Sequence, residues 1–377
     1  MSEASRLGIN SAELDRIRLP IEAACSLPPA AYTNPDVFDA EVDAIFRKQW
    51  ICVARQEQVV QPGDYLCLDF FGQPIVIVRD LDGQLHAHAS VCLHRAQPVV
   101  EGSGNATRFV CPYHHWTYEL TGELRSAPMM ENAEGFNTDD CRLPSLALEV
   151  WEGFVFVNQD PDAAPLSPRL VNLQQLIKNF DFDQQVVTET IEFDSPWNWK
   201  ILVENFMEAY HHIGPHKHTF EPVYPARQSY IPDNDGAPWV VLRMPEKAGA
   251  EDDHSSGLYP RLDETQQHEL LAMCVYPTLL FAASATTCVW YQLEPSAHNA
   301  MRLRIHALAP PEAAAAMSDE DRQILKAALQ AIHEEDIVVN EGPWRGLQAP
   351  LTRQGRLSLY EKSIWQLNQL WADSLGI

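Results

Sequence analysis

The stretch Val91–Trp116, VCLHRAQPVVEGSGNATRFVCPYHHW, sets two thiols and two imidazoles at the spacings Cys-x-His and Cys-x-x-His. Sixteen residues separate His94 from Cys111, enough for Cys92 with His94 and Cys111 with His114 to sit at the tips of two separate loops. One centre lying between the loops can then take all four side chains. What that centre is decides how the rest of the chain is read.

Two chemistries compete for it. Zinc accepts mixed sulfur and nitrogen ligands in a tetrahedral site, which makes a zinc ribbon one reading. The other is a Rieske 2Fe-2S cluster, with two thiolates on one iron and two imidazoles on the other. Each loop supplies a cysteine and then a histidine, and this crossed order suits a centre with a sulfur end and a nitrogen end. The flanking run CPYHHWTYELTGEL (111–124) adds an aromatic, proline-bearing shell that limits solvent and tunes a reduction potential.

Composition sets the outer bounds. The 377 residues are 46% hydrophobic and 21% charged, so the chain can bury a sizeable core, and two domains are expected at this length. A net charge of -25 argues against nucleic acid or an anionic membrane as partner, since both attract Lys and Arg clusters. The start MSEASRLGIN lacks a basic segment followed by an apolar core, and the most apolar run, LLAMCVYPTLLFAAS (270–284), is broken by Pro277. Eight scattered cysteines lack the density of a disulfide scaffold, so a reducing cytoplasm is expected.

The chain changes character near residue 160. From Trp50 to Asn158, short β-like runs (ICVARQEQVV, DYLCLDF, PIVIVRD, GFVFVN) alternate with turn signals such as PGD and DLDG, giving a compact all-β unit. The proline-rich PDAAPLSPRL (161–170) reads as the hinge. Beyond residue 186, strand-like runs alternate with helices, and Met301, Leu303, Ile305 and Ala307 interleave with Arg302, Arg304 and His306 as in a half-buried strand. Ser318 and Asp321 form a capping-box-like start to a helix whose apolar positions are Leu325, Leu329 and Ile332. Residues 357–375 carry Leu357, Ile364, Leu367, Trp371 and Leu375 on one stripe of a packing helix. The expected fold class is therefore α+β.

A second histidine cluster lies in LVENFMEAYHHIGPHKHTF (202–220). Glu208 and His211 are three apart and would share a helical face. Gly214-Pro215 would break that helix and let His216 fold back beside His211. Spacing alone leaves His212 with His216 open as the alternative pair. Two histidines and one carboxylate with open positions make the facial triad of ferrous sites that activate dioxygen, so a third ligand is required. The stripe Leu325, Leu329, Ile332 continues to Asp336, whereas Glu334 and Glu335 fall off it. A carboxylate on an apolar face must be paired or coordinated, which leaves Asp336 meeting a cation, joining a buried salt bridge or ending the helix.

The run CLHRAQPVVEGSGNATRFVCPYHHWTYELTGEL resembles the Rieske domain of the Rieske non-heme iron oxygenase α subunits, the family of ring-hydroxylating dioxygenases and Rieske monooxygenases. Ala96 stands where that family usually has glycine. The resemblance extends over most of the chain, from LPPAAYTNPDVFDAEVDAIFRKQW (27–50) through the second histidine cluster to HEEDIVVNEGPWRGL (333–347). It implies an N-terminal helical segment (1–44) packed on the catalytic domain, an all-β Rieske domain (45–160), and a catalytic domain (161–377). The last is expected to have a helix-grip, START-like fold, with an antiparallel sheet around a long C-terminal helix.

The same resemblance implies a cluster on Cys92, His94, Cys111 and His114, and mononuclear Fe(II) on His211, His216 and Asp336, with Asn205 near an open iron position and Glu341 in the same acidic helical context as Asp336. Glu208 replaces the family's usual aspartate, which links the two iron centres of neighbouring subunits; glutamate there is similar to oxygenases of quaternary ammonium compounds such as carnitine. Also implied are a head-to-tail homotrimer, and a flavin and iron-sulfur reductase or a ferredoxin passing electrons from NADH or NADPH. Dioxygen and a small organic substrate complete the partners.

The expected reaction is monooxygenation, either hydroxylation or oxidative N- or O-demethylation, with aromatic ring dioxygenation as the alternative. Trp197, Trp199, Tyr210, Trp290 and Tyr291 are candidates for an aromatic cage around a cation. An electron-transfer Rieske protein or a non-catalytic ligand-binding protein are the readings from other classes.

Overall fold

The structure, a computed structural model, describes residues 3–250 and 258–377; the first two residues of the expected N-terminal segment lie outside it. It divides into two compact units, Phe46–Ser167 and Met1–Ile45 with Pro168–Ile377, so the break falls inside PDAAPLSPRL.

The smaller unit is built from strands β1 (Ile51–Arg55), β2 (Asp64–Phe70), β3 (Gln73–Arg79), β4 (Leu85–Ala89), β5 (Ser103–Asn105), β6 (Phe109–Val110), β7 (Thr117–Tyr118), β8 (Leu124–Ser126), β9 (Ser145–Trp151) and β10 (Phe154–Asn158). Seven of them form one sheet in the order β1-β10-β9-β4-β3-β2-β5, and β6-β7-β8 form a second. β1 and β10 are buried along their whole length, so their β-branched and aromatic residues fill the core on both faces.

In the larger unit, β11 (Val186–Ser195), β12 (Trp239–Pro245), β13 (Glu269–Val275), β14 (Leu279–Ala283), β15 (Cys288–Ala297) and β16 (Ala300–Ala309) form an antiparallel sheet ordered β11-β16-β15-β14-β13-β12. The expected alternation over 301–307 is present except at His306, which is buried, stacked on Trp290 at 4.4 Å and bonded to Thr190 and Gln292. Its ring nitrogens are satisfied by cross-strand polar neighbours, which is what lets an imidazole lie inside.

The helix Asp319–Leu347 opens with the capping box of Ser318 and Asp321 and runs along β11. Arg322 donates to the Thr188 carbonyl at 2.8 Å, and eleven residues later His333 packs on the Phe193 ring at 4.3 Å. The final helix, Lys362–Leu375, buries Ile364, Leu367 and Trp371. Beside the final helix a polar knot is sealed in the core. Glu41 is fully buried, pairs with Lys200, and accepts from the indoles of Trp199 at 2.9 Å and Trp371 at 2.6 Å. No described helix is long and apolar enough to cross a membrane.

Register explains why this sheet is hollow. Leu242, Ala272, Ala282 and Val289 face one another across β12, β13, β14 and β15 in a single row. The two middle members are alanines, so the row leaves space where larger side chains would fill it. Alternation then places Met244, Leu270 and Tyr291 on the same side, and together with Phe206, Phe220 and Leu329 they line a cavity of about 330 Å³.

Candidate active site

The two loops of the opening stretch are the same turn built twice. Val91 pairs with Pro98 and Val110 with Thr117, so each loop closes over six residues. Cys92 N donates to Gln97 O and Cys111 N to Trp116 O, both at 2.8 Å, while Ala96 N and His115 N return to the carbonyls of those cysteines, both at 3.0 Å. The fourth residue after each cysteine is left-handed, with φ of +56° at Ala96 and +59° at His115. The family's usual glycine at the first position is thus explained, since L-residues adopt this conformation at a cost.

This geometry segregates sulfur from nitrogen. Cys92 and Cys111 are 3% and 1% exposed, whereas His94 is exposed and His114 half-exposed, their rings 4.5 Å apart. Trp116 stacks under His94 at 5.0 Å. The buried Tyr118 hydroxyl accepts from Leu93 N at 3.0 Å, and its proton is then free for Cys92 Sγ at 3.3 Å. Burial pushes the Cys92 thiol up, so a bound cation is needed to hold it as thiolate.

Four ligands of a single tetrahedral ion would all lie within about 4 Å of one another. Among the described residues, the one set of three His, Cys, Asp or Glu ligand atoms lying within 4.8 Å of one another is elsewhere, at His211, His216 and Asp336. The loops therefore do not gather around one zinc. A two-iron cluster, with its sulfur and nitrogen ends, fits them.

At the second cluster, local structure differs from the expectation. The helix Trp199–Phe206 ends before the histidines, and Tyr210–Ile213 form a short 3-10 turn. Glu208 and His211 do not share a helical face; Glu208 caps the turn, accepting from His211 N at 3.0 Å and from His211 Nδ1 at 2.6 Å. His216 Nδ1 lies 2.6 Å from Glu335 Oε2, which also accepts from Thr219 Oγ1 at 2.8 Å. Carboxylates only accept, so Nδ1 of each ring carries a proton, and each Nε2 is turned inward.

Those Nε2 atoms face Asp336 Oδ1, at 2.9 Å from His216 and 3.7 Å from His211. Asp336 Oδ1 only accepts, so it needs positive charge beside it, from a second proton on His216 or from a metal ion held by the two Nε2 atoms; the three ligand atoms lie within 4.8 Å of one another, which fits the set to a metal ion. Asn205 Nδ2 donates to the same Oδ1 at 3.3 Å. Asp336 does not end its helix, which continues to Leu347. The alternative pair is resolved by His212, which turns away to the Tyr224 carbonyl at 3.0 Å and stacks on Phe220; burial pushes its pKa down to about 4.

One reading needs extending and one needs correction. Glu335 falls off the apolar stripe yet reaches His216, because its longer side chain spans from the flank of the helix. The five-member aromatic cage does not form: among those residues Tyr291 alone lines the cavity. Trp197, Trp199 and Trp290 are core residues, and Tyr210 is 46% exposed.

Residues 49–146 match the family model of the Rieske [2Fe-2S] domain, and residues 182–377 match that of the ring hydroxylating α subunit catalytic domain. The class these units define is a Rieske protein with a second metal centre in a helix-and-sheet domain. The chain belongs to the ring-hydroxylating α-subunit family.

Among curated relatives, the carnitine monooxygenase oxygenase subunit of Acinetobacter baumannii is 37% identical over 202 residues, covering 52% of this chain and 53% of that one. The match thus spans about half the length of that relative. The chloroplastic choline monooxygenase of Beta vulgaris is 26% identical over 345 residues, covering 90% of this chain and 74% of that one. Among solved structures, the quaternary ammonium Rieske monooxygenase CntA in complex with L-carnitine superposes with a TM-score of 0.79 at 25% identity, over 93% of this chain and 96% of that one.

Proposed function

We propose that this chain is the oxygenase component of a Rieske monooxygenase acting on a quaternary ammonium compound. The observation that carries the reading is the set His211, His216 and Asp336 lining an apolar cavity of about 330 Å³. The relatives named for carnitine and choline support the substrate class. In this reading Cys92, His94, Cys111 and His114 in the domain 45–160 would hold the cluster, and His211, His216 and Asp336 in the domain 161–377 would hold iron. The segment 1–44 would belong with the catalytic domain.

A 2Fe-2S cluster stores a reducing equivalent and a ferrous ion on a facial triad binds and activates dioxygen. The protein's own groups do the positioning. Glu208 and Glu335 fix the two histidine rings, Asn205 orients the Asp336 carboxylate, and the apolar walls exclude water from the reacting carbon. Glu208 would also face the neighbouring subunit of a homotrimer, as the link to its cluster. The reaction balances as a C–H bond plus dioxygen, two electrons and two protons giving C–OH plus water. On a carbon bonded to nitrogen, the product collapses to an amine and a carbonyl compound. The electrons would come from NADH or NADPH through a flavin reductase, in the cytoplasm.

The test is oxygen uptake by the purified protein with a flavin reductase, against panels of trimethylammonium compounds and aromatic acids. Uptake matched by amine release is expected from the first panel. A diol from an aromatic compound, with no uptake from any amine, would overturn the reading. Iron analysis should give about three atoms per chain, two in the cluster and one on the triad, rather than the two of an electron carrier. His211→Ala should keep the cluster spectrum and lose turnover, whereas Cys92→Ser should bleach it.

A further inference from the structure

The acids of the cavity have no lysine or arginine beside them in its described lining. Among the described residues that line it, the ionisable acids are Glu208 and Asp336, and none is lysine or arginine. The undescribed stretch 251–257, EDDHSSG, contains neither. The basic residues nearest in sequence to the walls are Lys217, Arg243 and Lys200, and none of them lines the cavity; Lys217, next to His216, is exposed. Arg243, between the lining residues Leu242 and Met244, alternates to the other face of β12 and forks onto Glu269 at 2.9 and 2.5 Å. Lys200, two residues before the lining Leu202, is buried against Glu41.

What the walls do offer suits a cation. The rings of Phe206 and Tyr291 pack 4.8 Å apart within the lining, and Phe220, packed on His212 and His216, lines the same cavity. Aromatic faces attract an ammonium group, and the more so when it is desolvated. At the β14–β15 turn the lining changes to hydroxyls: Ser284 is buried, Thr286 half-buried and Thr287 exposed, which places them at the mouth. Ser284 Oγ accepts from Thr286 N at 3.3 Å and Thr287 N at 3.2 Å, which fixes the turn, and Thr286 Oγ1, 3.3 Å from it, can give or take a neutral hydrogen bond.

We infer that the cavity selects a quaternary amine that carries no carboxylate. Its charged head rests among Phe206, Phe220 and Tyr291 and a neutral polar end meets Ser284 and Thr286. This rests on the monooxygenase reading above and narrows it, because carnitine and glycine betaine carry a carboxylate and choline does not. Burying a carboxylate without a cationic partner is costly; the charge of iron on the triad would be offset by Asp336 and Glu208, which leaves the lining no surplus positive charge, and a net charge of -25 adds repulsion. A hydroxyl in the same place has no such penalty.

The test uses the iron-loaded protein under anaerobic conditions, with binding measured by calorimetry. Choline and glycine betaine share the same head and chain length and differ only in the terminal group; the primary amide of glycine betaine restores neutrality without changing length. Choline and the amide should bind about tenfold or more tightly than glycine betaine. Thr286→Lys should then reverse the order by supplying the missing countercharge. Glycine betaine binding wild-type protein as well as choline does would overturn this inference while leaving the monooxygenase reading intact. Failure of all three to bind would remove both.

Discussion

His216 Nδ1 donates to Glu335 Oε2 at 2.6 Å, and this contact, made from the flank of the helix that carries Asp336, fixes which nitrogen of His216 faces the candidate metal site. The neighbouring acid on the same helix is thereby a positioning residue, with Thr219 bonded to the same oxygen.

Glu335→Ala should therefore weaken iron retention on the triad by about 10- to 100-fold, the usual effect of removing an outer-sphere carboxylate from a ligating histidine. The check is iron content after dialysis against a chelator, read beside an unchanged cluster spectrum. Wild-type retention in the variant would mean that Glu335 does not hold the ring.

Ala96→Gly should stabilise the smaller unit. Ala96 is held at φ +56°, where a Cβ costs roughly 1–2 kcal/mol, partly offset by the extra freedom glycine gains in the unfolded chain. A net gain of about 0.5–1 kcal/mol should appear as a higher midpoint for thermal bleaching of the cluster. A lower midpoint would show that the loop does not strain alanine.

Ala272→Phe should fill the hollow row of the sheet. Ala272 sits between Leu242 and Ala282, and its side chain borders the cavity. The variant should keep its cluster and its iron but lose binding of any amine that the wild type takes, measured by calorimetry. Retained binding would place the substrate elsewhere.

Asn340→Leu should raise stability. Asn340 is fully buried, and both its amide atoms lack a hydrogen-bond partner among the described residues. An unpaired buried amide costs about 1–3 kcal/mol, and leucine keeps the same branched skeleton while removing both polar atoms. Denaturant midpoints decide it; a loss of comparable size would show the amide to be bonded in solution.

How far the sequence reaches is visible at particular residues. The paired loops of Cys92 and Cys111 are legible because each closes over only six residues, so spacing carries the geometry. Asp336 could be picked out because helical periodicity continues one apolar stripe onto it. Glu335 could not, since its contact with His216 depends on the reach of a long side chain across tertiary structure. The aromatic candidates fail for a related reason: at Trp197, Trp199 and Trp290 core and cavity wall look alike in sequence, and only strand register separates them. Glu208 was found for its spacing to His211, although it acts as a cap on a 3-10 turn and not as a helical neighbour.

The burial of sulfur behind imidazole in the paired loops has a practical consequence. Cys25, Cys52, Cys92, Cys111, Cys274 and Cys288 are buried, while Cys67 and Cys141 are half-exposed. A water-soluble thiol reagent should consume those two promptly and then stall. Slow labelling of Cys92 and Cys111 would afterwards act as a clock for transient opening of the loops, timing local unfolding without any optical signal from iron.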